Sequence, residues 1–187
     1  MSVFQSVFRR WRILRLWLYL WLRRVNASFP VYYTGSLPNI IGGRRITIGR
    51  RVWFIGNDGR SARIEASNSG TVELGESTLI NNAVQIYSEV SVHIGANTLI
   101  AELCTIQDTN FHQVDEESNV RRGPVFIGRN VWLGRNVHVL PGSIIGDHSV
   151  IASGSVVNGE IPPKSLAGGS PARVIRRIIA SDAFKRR

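Results

Sequence analysis

The sequence predicts an all-β fold of short strands stacked repeat upon repeat, with one amphipathic α-helix in front of it. Three observations lead there. An aliphatic residue returns every six positions at Ile94, Ile100 and Ile106, and again at Ile127, Leu133, Val139, Ile145, Ile151 and Val157. Glycine, asparagine and other small residues recur between them. Residues 1–25 hold no proline or glycine, and their apolar residues step by three and four. A single strand repeats every two residues and a helix about every 3.6. A strict six therefore requires short strands joined by tight corners, where glycine and asparagine tolerate positive φ.

The helix comes first. Phe4, Val7, Trp11, Leu14, Leu18, Trp21 and Val25 line one face, and Arg9, Arg10, Arg12, Arg15, Arg23 and Arg24 occupy the remaining circumference. From Leu16 to Leu22 every residue is apolar or aromatic, so that stretch has no polar face. It rises only about 10 Å, far short of the roughly 20 residues that span a bilayer. Interleaved arginine and tryptophan suit the membrane interface. The same spacing also fits a seam against another copy. A secretory signal is a third reading, but Arg23 and Arg24 stand where small residues should lead to a cleavage site. Residues 1–30 are thus expected to form a membrane-interface helix, with peripheral contact through residues 1–25.

The repeat follows. "IGANTL", "IAELCT", "IGRNVW", "LGRNVH", "IGDHSV" and "IASGSV" share an aliphatic first residue. Thr98, Cys104, Val131, Val137, Ser149 and Ser155 take the fifth place. Weaker repeats, "ITIGRR", "IEASNS" and "TVELGE", precede them. First-position aliphatics are the candidate core, each worth about 1.5–3 kcal/mol when buried. The repeat domain is expected over residues 31–172, followed by a basic tail over 173–187. Between Ile106 and Ile127 the beat breaks, in "IQDTNFHQVDEESNVRRGPVFI". A loop over 108–123 must leave the stack there, carrying a histidine and several acids.

Charge and size narrow the function. A chain of 187 residues with 43% hydrophobic content supports one substantial core. The net charge of +10 lies at the ends: residues 1–24 hold six arginines and no acid, and residues 173–187 hold six basic residues and Asp182 alone. The remainder has 11 basic and 12 acidic residues, which is no nucleic-acid stripe. Cys104, the single cysteine, cannot form an intrachain disulfide, and its place in the repeat makes it a buried structural residue.

The six-residue pattern resembles the hexapeptide-repeat left-handed β-helix proteins, from about Ile46 to Val157. That resemblance implies a triangular prism of about five coils, a protruding loop and a homotrimer. Four histidines, at 93, 112, 138 and 148, are separated by 19, 26 and 10 residues, and none are five apart as in the zinc-binding branch of the fold. No metal is expected. "VWLG", "PGSIIG", "IASGSVV", "IPP" and "GGSPARVI" follow in order, similar to the galactoside, maltose, nodulation-factor and polysaccharide O-acetyltransferases.

The resemblance implies acetyl transfer from acetyl-CoA, as acyl-donor substrate, to a hydroxyl of a sugar or glycan. "DTNFH" maps the general base onto His112, carried by the loop across a subunit interface. Imidazole titrates near neutrality and suits the role. Asp108 would orient His112 or the acceptor, or cap the loop. Asn81 and Asn82 fall where the family places an asparagine in the acceptor cleft, although the pair is unusual. Trp132 would flank the pantetheine arm, the Arg135 backbone would approach the thioester, and Ser153 and Gly154 would admit the pantetheine amides. Arg173 and Arg176 would hold the phosphates, or belong to a tail that touches lipid. Asp115, Glu116 and Glu117 read as a solvated loop face. No hydroxyl nucleophile with an adjacent base is evident, which favours direct transfer over an acyl-enzyme. The alternatives are an antibiotic acceptor and a non-catalytic, membrane-tethered scaffold. A cytoplasmic protein held on the inner face of the cell membrane is the expected location.

Overall fold

The computed structural model describes residues 3–57 and 59–186, with residues 3–10 by backbone alone. Phe4, Val7, Arg9 and Arg10 are therefore described as helical without their side chains. After the helix Val3–Leu22 (α1), the chain visits three sheets in strict rotation. Face one takes Asn26–Ala27, Ile46–Ile48, Val72–Leu74, Val92–Ile94, Val125–Ile127, Ile144–Ile145 and Glu160–Ile161. Face two takes Tyr32–Thr34, Trp53–Ile55, Leu79–Ile80, Leu99–Ile100, Trp132–Leu133, Val150–Ile151 and Ser165–Gly169. Face three takes Asn39–Ile41, Arg63–Ala66, Gln85–Ser88, Thr105–Gln107, His138–Val139 and Val156–Val157. Stacked strands pair parallel and in register, as in Ile80 on Ile100 on Leu133 on Ile151. This is the left-handed parallel β-helix.

The stack is longer than five coils, since face one alone has seven strands among the described residues. The earlier coils are hard to count because their corners vary. Inward residues Phe54, Ile64 and Leu74 are ten apart, and Ile86 and Ile94 eight apart, while the six-residue beat returns elsewhere.

Core and corners follow from the hexad. Ile94, Ile100, Ile106, Ile127, Leu133, Val139, Ile145, Ile151 and Val157 are fully buried, in three stacks, one from each face. The fifth-position residues are buried too, and two of the polar ones donate across coils, Thr98 Oγ1 to the Gly128 carbonyl at 2.9 Å and Ser149 Oγ to the Pro162 carbonyl at 2.9 Å, while Ser155 Oγ donates within its own corner to the Ala152 carbonyl. Cys104 joins them, its Sγ 3.0 Å from the Gly134 carbonyl. Corners place the fourth residue at positive φ, at Asn97, Asn130 and Asn136, and also at Leu103 and His148, where a side chain is less at ease. The second-position glycine has a different reason. A Cβ on Gly95 would stand 2.5 Å from the Arg129 nitrogen and the Gly128 carbonyl carbon, so the coils stack this closely only without it.

Both ends are closed. Leu16 and Leu20 of α1 are buried in the core cluster, and Tyr19 Oη accepts the Ile40 amide at 3.0 Å. This explains the polar-free stretch from Leu16 to Leu22: one side meets the prism, and another stays in solvent. At the far end Ala172–Arg177 returns antiparallel along Ser165–Gly169.

Candidate active site

Each turn of the prism has three corners, and the predicted site residues sort onto two of them, apart from Trp132 on face two and Arg173 and Arg176 in the returning strand. The corner between faces two and three carries Asn81 and Asn82 in the third turn, Arg135 in the fifth, and Ser153 and Gly154 in the sixth. Backbone hydrogen bonds stack them coil on coil. Leu103 N–H donates to the Asn82 carbonyl at 3.1 Å, Asn136 N–H to Glu102 at 3.0 Å, and Gly154 N–H to Arg135 at 2.9 Å. The Asn81 side chain turns back to accept the Asn82 amide at 2.7 Å. Asn82 Oδ1 reaches the Asn57 amide at 3.4 Å.

Arg135 pairs with Glu102 at 3.4 Å, both partly in solvent. Its own N–H engages no group among the described residues. A Cβ built on Gly154 meets nothing within 4 Å, so the backbone there is open to a ligand. Trp132 projects from face two between Leu99 and Val150, with 46% of its surface exposed. Arg173 and Arg176 lie in the returning strand beyond face two, paired with Gly168 and Leu166. Among the described residues their guanidinium groups reach only backbone carbonyls, at Ala172 and Arg177.

His112 belongs to a different corner, between faces three and one, where the loop leaves the stack. A short antiparallel neck closes the loop base. Gly123 N–H donates to the Asp108 carbonyl at 3.0 Å, Thr109 bridges Arg122, and Asn110 N–H donates to the Arg121 carbonyl at 3.0 Å. The Asp108 carboxylate is fully buried and points down a coil. It accepts Ser88 Oγ at 2.7 Å, Glu89 N–H at 2.7 Å and Val90 N–H at 2.9 Å. Asp108 therefore anchors the neck, and its carboxylate makes no hydrogen bond to His112.

Arg122 ties the neck to Glu89 at 2.6 Å, and this hydrogen bond holds the Glu89 carboxyl below its ordinary range. Phe111 packs its ring on Tyr87, with centroids 4.7 Å apart. Burial is the leading cause that raises the Tyr87 hydroxyl above its ordinary value. Above the neck the His112 imidazole is exposed and has no hydrogen-bond partner among the described residues. Asp115, Glu116 and Glu117 are exposed at the tip, where Asp115 Oδ1 accepts the Glu117 amide at 3.1 Å.

Sequence reading missed Ser88, Glu89, Tyr87, Phe111 and Arg122. Their signal was positional: Ser88 and Glu89 lie 20 and 19 residues before Asp108, one coil below. A groove of about 850 Å³ lies elsewhere, between Ser77, Asn97 and Leu99 and residues 183–186. In a single chain, face three separates the His112 corner from the corner carrying Arg135 and Ser153.

Known proteins share this architecture. The bacterial transferase hexapeptide (six repeats) family model matches residues 124–159. Galactoside O-acetyltransferase of Escherichia coli is 35% identical over 135 residues, covering 71% of this chain and 64% of that protein, just under two thirds of its length. A putative lipopolysaccharide biosynthesis O-acetyltransferase of the same species is 38% identical over 131 residues, covering 64% of this chain and 67% of the relative. Among solved structures, a hexapeptide-repeat acetyltransferase of Vibrio cholerae complexed with acetyl coenzyme A aligns with TM-score 0.57 and 22% identity, over 96% of this chain and 91% of the other. With its prism, its interrupting loop and relatives this similar over most of their length, the chain belongs to the hexapeptide-repeat transferase family.

Proposed function

We propose that the protein is an acetyl-CoA-dependent O-acetyltransferase whose acceptor is a sugar or glycan hydroxyl. One observation carries the reading: an unpartnered histidine stands on a braced loop at one corner, while an open backbone column runs up another. A second copy can bring the two together. The working form is then a homotrimer with sites between subunits, His112 coming from one and the Arg135 column from the next. The names of the two O-acetyltransferase relatives and the acetyl-CoA complex of the Vibrio neighbour support donor and acceptor class.

The chemistry is direct transfer. His112 takes the proton from the acceptor hydroxyl as its oxygen attacks the thioester carbonyl. The Arg135 N–H faces the developing oxyanion, where preorganised donors are most effective. The intermediate collapses, the carbon–sulfur bond breaks, and the imidazolium returns its proton to the departing CoA thiolate. Cys104 takes no part as a nucleophile. Burial lifts its thiol to about 11, and it lies inside the prism. On the donor, Trp132 flanks pantetheine, Ser153 and Gly154 admit its amides, and Arg173 and Arg176 bind the phosphates. Asn81 and Asn82 bind the acceptor.

Thiol release from acetyl-CoA across a panel of sugar acceptors tests the activity, and silence with every acceptor class overturns it. Complementation tests the shared site. His112→Ala and Ser153→Trp are each expected to be inactive, and co-expression of the two is expected to recover activity at interfaces that combine two intact halves. No recovery would confine the site to one chain. Arg173→Ala with Arg176→Ala is expected to erase most of the preference for acetyl-CoA over a short pantetheine thioester. An unchanged preference removes both arginines from the donor site.

A further inference from the structure

The helix that closes the first turn of the prism is apolar on two sides, and only one of them is used. Leu16 and Leu20 are buried in the core, while Trp11, Leu14, Trp17, Leu18, Trp21 and Leu22 remain in solvent, from 42% exposed at Trp17 to 67% at Trp11. At about 100° per residue these six span an arc of roughly 140°, centred nearly opposite the Leu16–Leu20 side. Trp17 and Trp21 stack within the arc, with centroids 6.3 Å apart. Exposed arginines border it on one flank, at Arg15 and Arg12, and Arg24 is exposed just past the end of the helix. Residues 1–24 contain no acid to neutralise them, and no salt bridge engages a described arginine of the helix.

We infer that this outward arc docks the protein on an anionic lipid surface. An apolar aromatic face belongs in the acyl–headgroup boundary, and arginines on its borders belong among lipid phosphates. A second copy is the poorer occupant, because pairing two such arcs sets arginine borders of like charge together, which disfavours the contact. No described helix is long and apolar enough to cross a membrane, so the helix lies in the plane of the surface. Because its opposite side is fixed to the first turn, the prism stands away from the lipid. With stacked strands about 4.8 Å apart, Asn81 and Asn82 sit roughly 10 Å above the first turn and the returning strand with Arg173 roughly 30 Å. If the proposed acetyl transfer is correct, the acceptor end of the site is the membrane-proximal end. The docking itself does not depend on that reading.

Flotation of the full chain with phosphatidylcholine vesicles, with and without phosphatidylglycerol, tests docking without using activity. The wild type is expected to float with anionic vesicles, weakly with neutral ones, and less as salt rises. Trp11→Ser with Trp21→Ser changes only exposed side chains. It is expected to lose flotation while keeping the thermal midpoint and solution size of the wild type. Arg12→Gln with Arg15→Gln is expected to weaken anionic binding by roughly fivefold per arginine removed. Three outcomes overturn the inference: no wild-type flotation with either vesicle, full flotation by the tryptophan variant, or a smaller assembly for that variant in lipid-free buffer. The last would assign the arc to contacts between copies.

Discussion

His112 and Asp108 lie four residues apart in unlike settings. The histidine is exposed and unpartnered, so His112→Ala is expected to leave the fold intact and lower turnover by about 10² to 10⁴-fold, the usual loss for a general base. The KM for acetyl-CoA should change little, as steady-state thiol release will report; near-wild-type turnover would remove His112 from the mechanism. Asp108 is the reverse case. Its three charge-assisted hydrogen bonds clamp the neck to the Ser88–Val90 corner, and Asp108→Ala leaves those donors buried without an acceptor. The expected cost is about 3 kcal/mol. For a chain this long that is a fall in Tm of about 6–12 °C by calorimetry. A variant that melts with the wild type would show the clamp to be dispensable. The sequence showed that His112 stands on an interrupting loop, because the six-residue beat breaks there; its part as general base rests on the likeness of "DTNFH" to the family motif. For Asp108 the sequence offered capping of the loop among other roles but not the partners that do it, because they sit one coil below and the variable early corners hide how many residues make that coil.

Corners show the same division between what a sequence discloses and what only stacking decides. The six-residue beat predicted positive φ at corners, and the asparagines at 97, 130 and 136 adopt it. It did not predict that the second-position glycine answers to the coil above it. Gly95→Ala is expected to force a shift between coils and cost about 1–3 kcal/mol, a clash rather than an entropy effect. A Gly154→Ala control has open space for its methyl and bears only the φ penalty, so the smaller Tm loss should be its own. The corner at His148 adds a pH dependence. This imidazole is buried, its Nδ1 lies 2.8 Å from Asn130 Nδ2, and its Nε2 has no partner among the described residues. Asn130 in turn binds the Phe184 carbonyl and the Arg186 amide, and Arg186 Nη2 donates to the His148 carbonyl at 2.6 Å. Burial first, then Arg129 and Lys164 against the opposing Asp147 and Asp182, lower its pKa below the ordinary 6.5. The neutral form is thus the folded form. Its stabilising effect is present above that ordinary value and is lost as pH falls through it toward the lower folded value. Amide protection over residues 182–186, corrected for the intrinsic exchange rate at each pH, should fall across that descent, and His148→Asn, which keeps a residue tolerant of positive φ, should flatten the response.

At the scale of the molecule the prism was legible because nine inward aliphatics from Ile94 to Val157 keep one phase on either side of the loop. Its first turns were less so, because corners of unequal length scatter Phe54, Ile64 and Leu74 off the beat. The helix was legible as amphipathic, but not as two-sided, since Leu16 and Leu20 look no different in sequence from their exposed neighbours. Their burial changes what α1 is for. A stack of parallel strands has no natural end: each terminal turn offers unpaired amides and carbonyls that another chain can extend. Here α1 covers one terminus and the antiparallel strand Ala172–Arg177 turns back along the other. Removing residues 1–22 would uncover Val31 and Ile40 together with a strand edge already spaced for another β-turn. The truncated chain is expected to pair uncovered end against uncovered end, visible by electron microscopy as doubled particles and by a rise in light scattering with concentration, while the strand Ala172–Arg177 still covers the far end. Discrete particles of unchanged size would show that the edge needs no cover. The family's solenoid is a fibre that has been told where to stop, and in this chain a helix gives the instruction at one end.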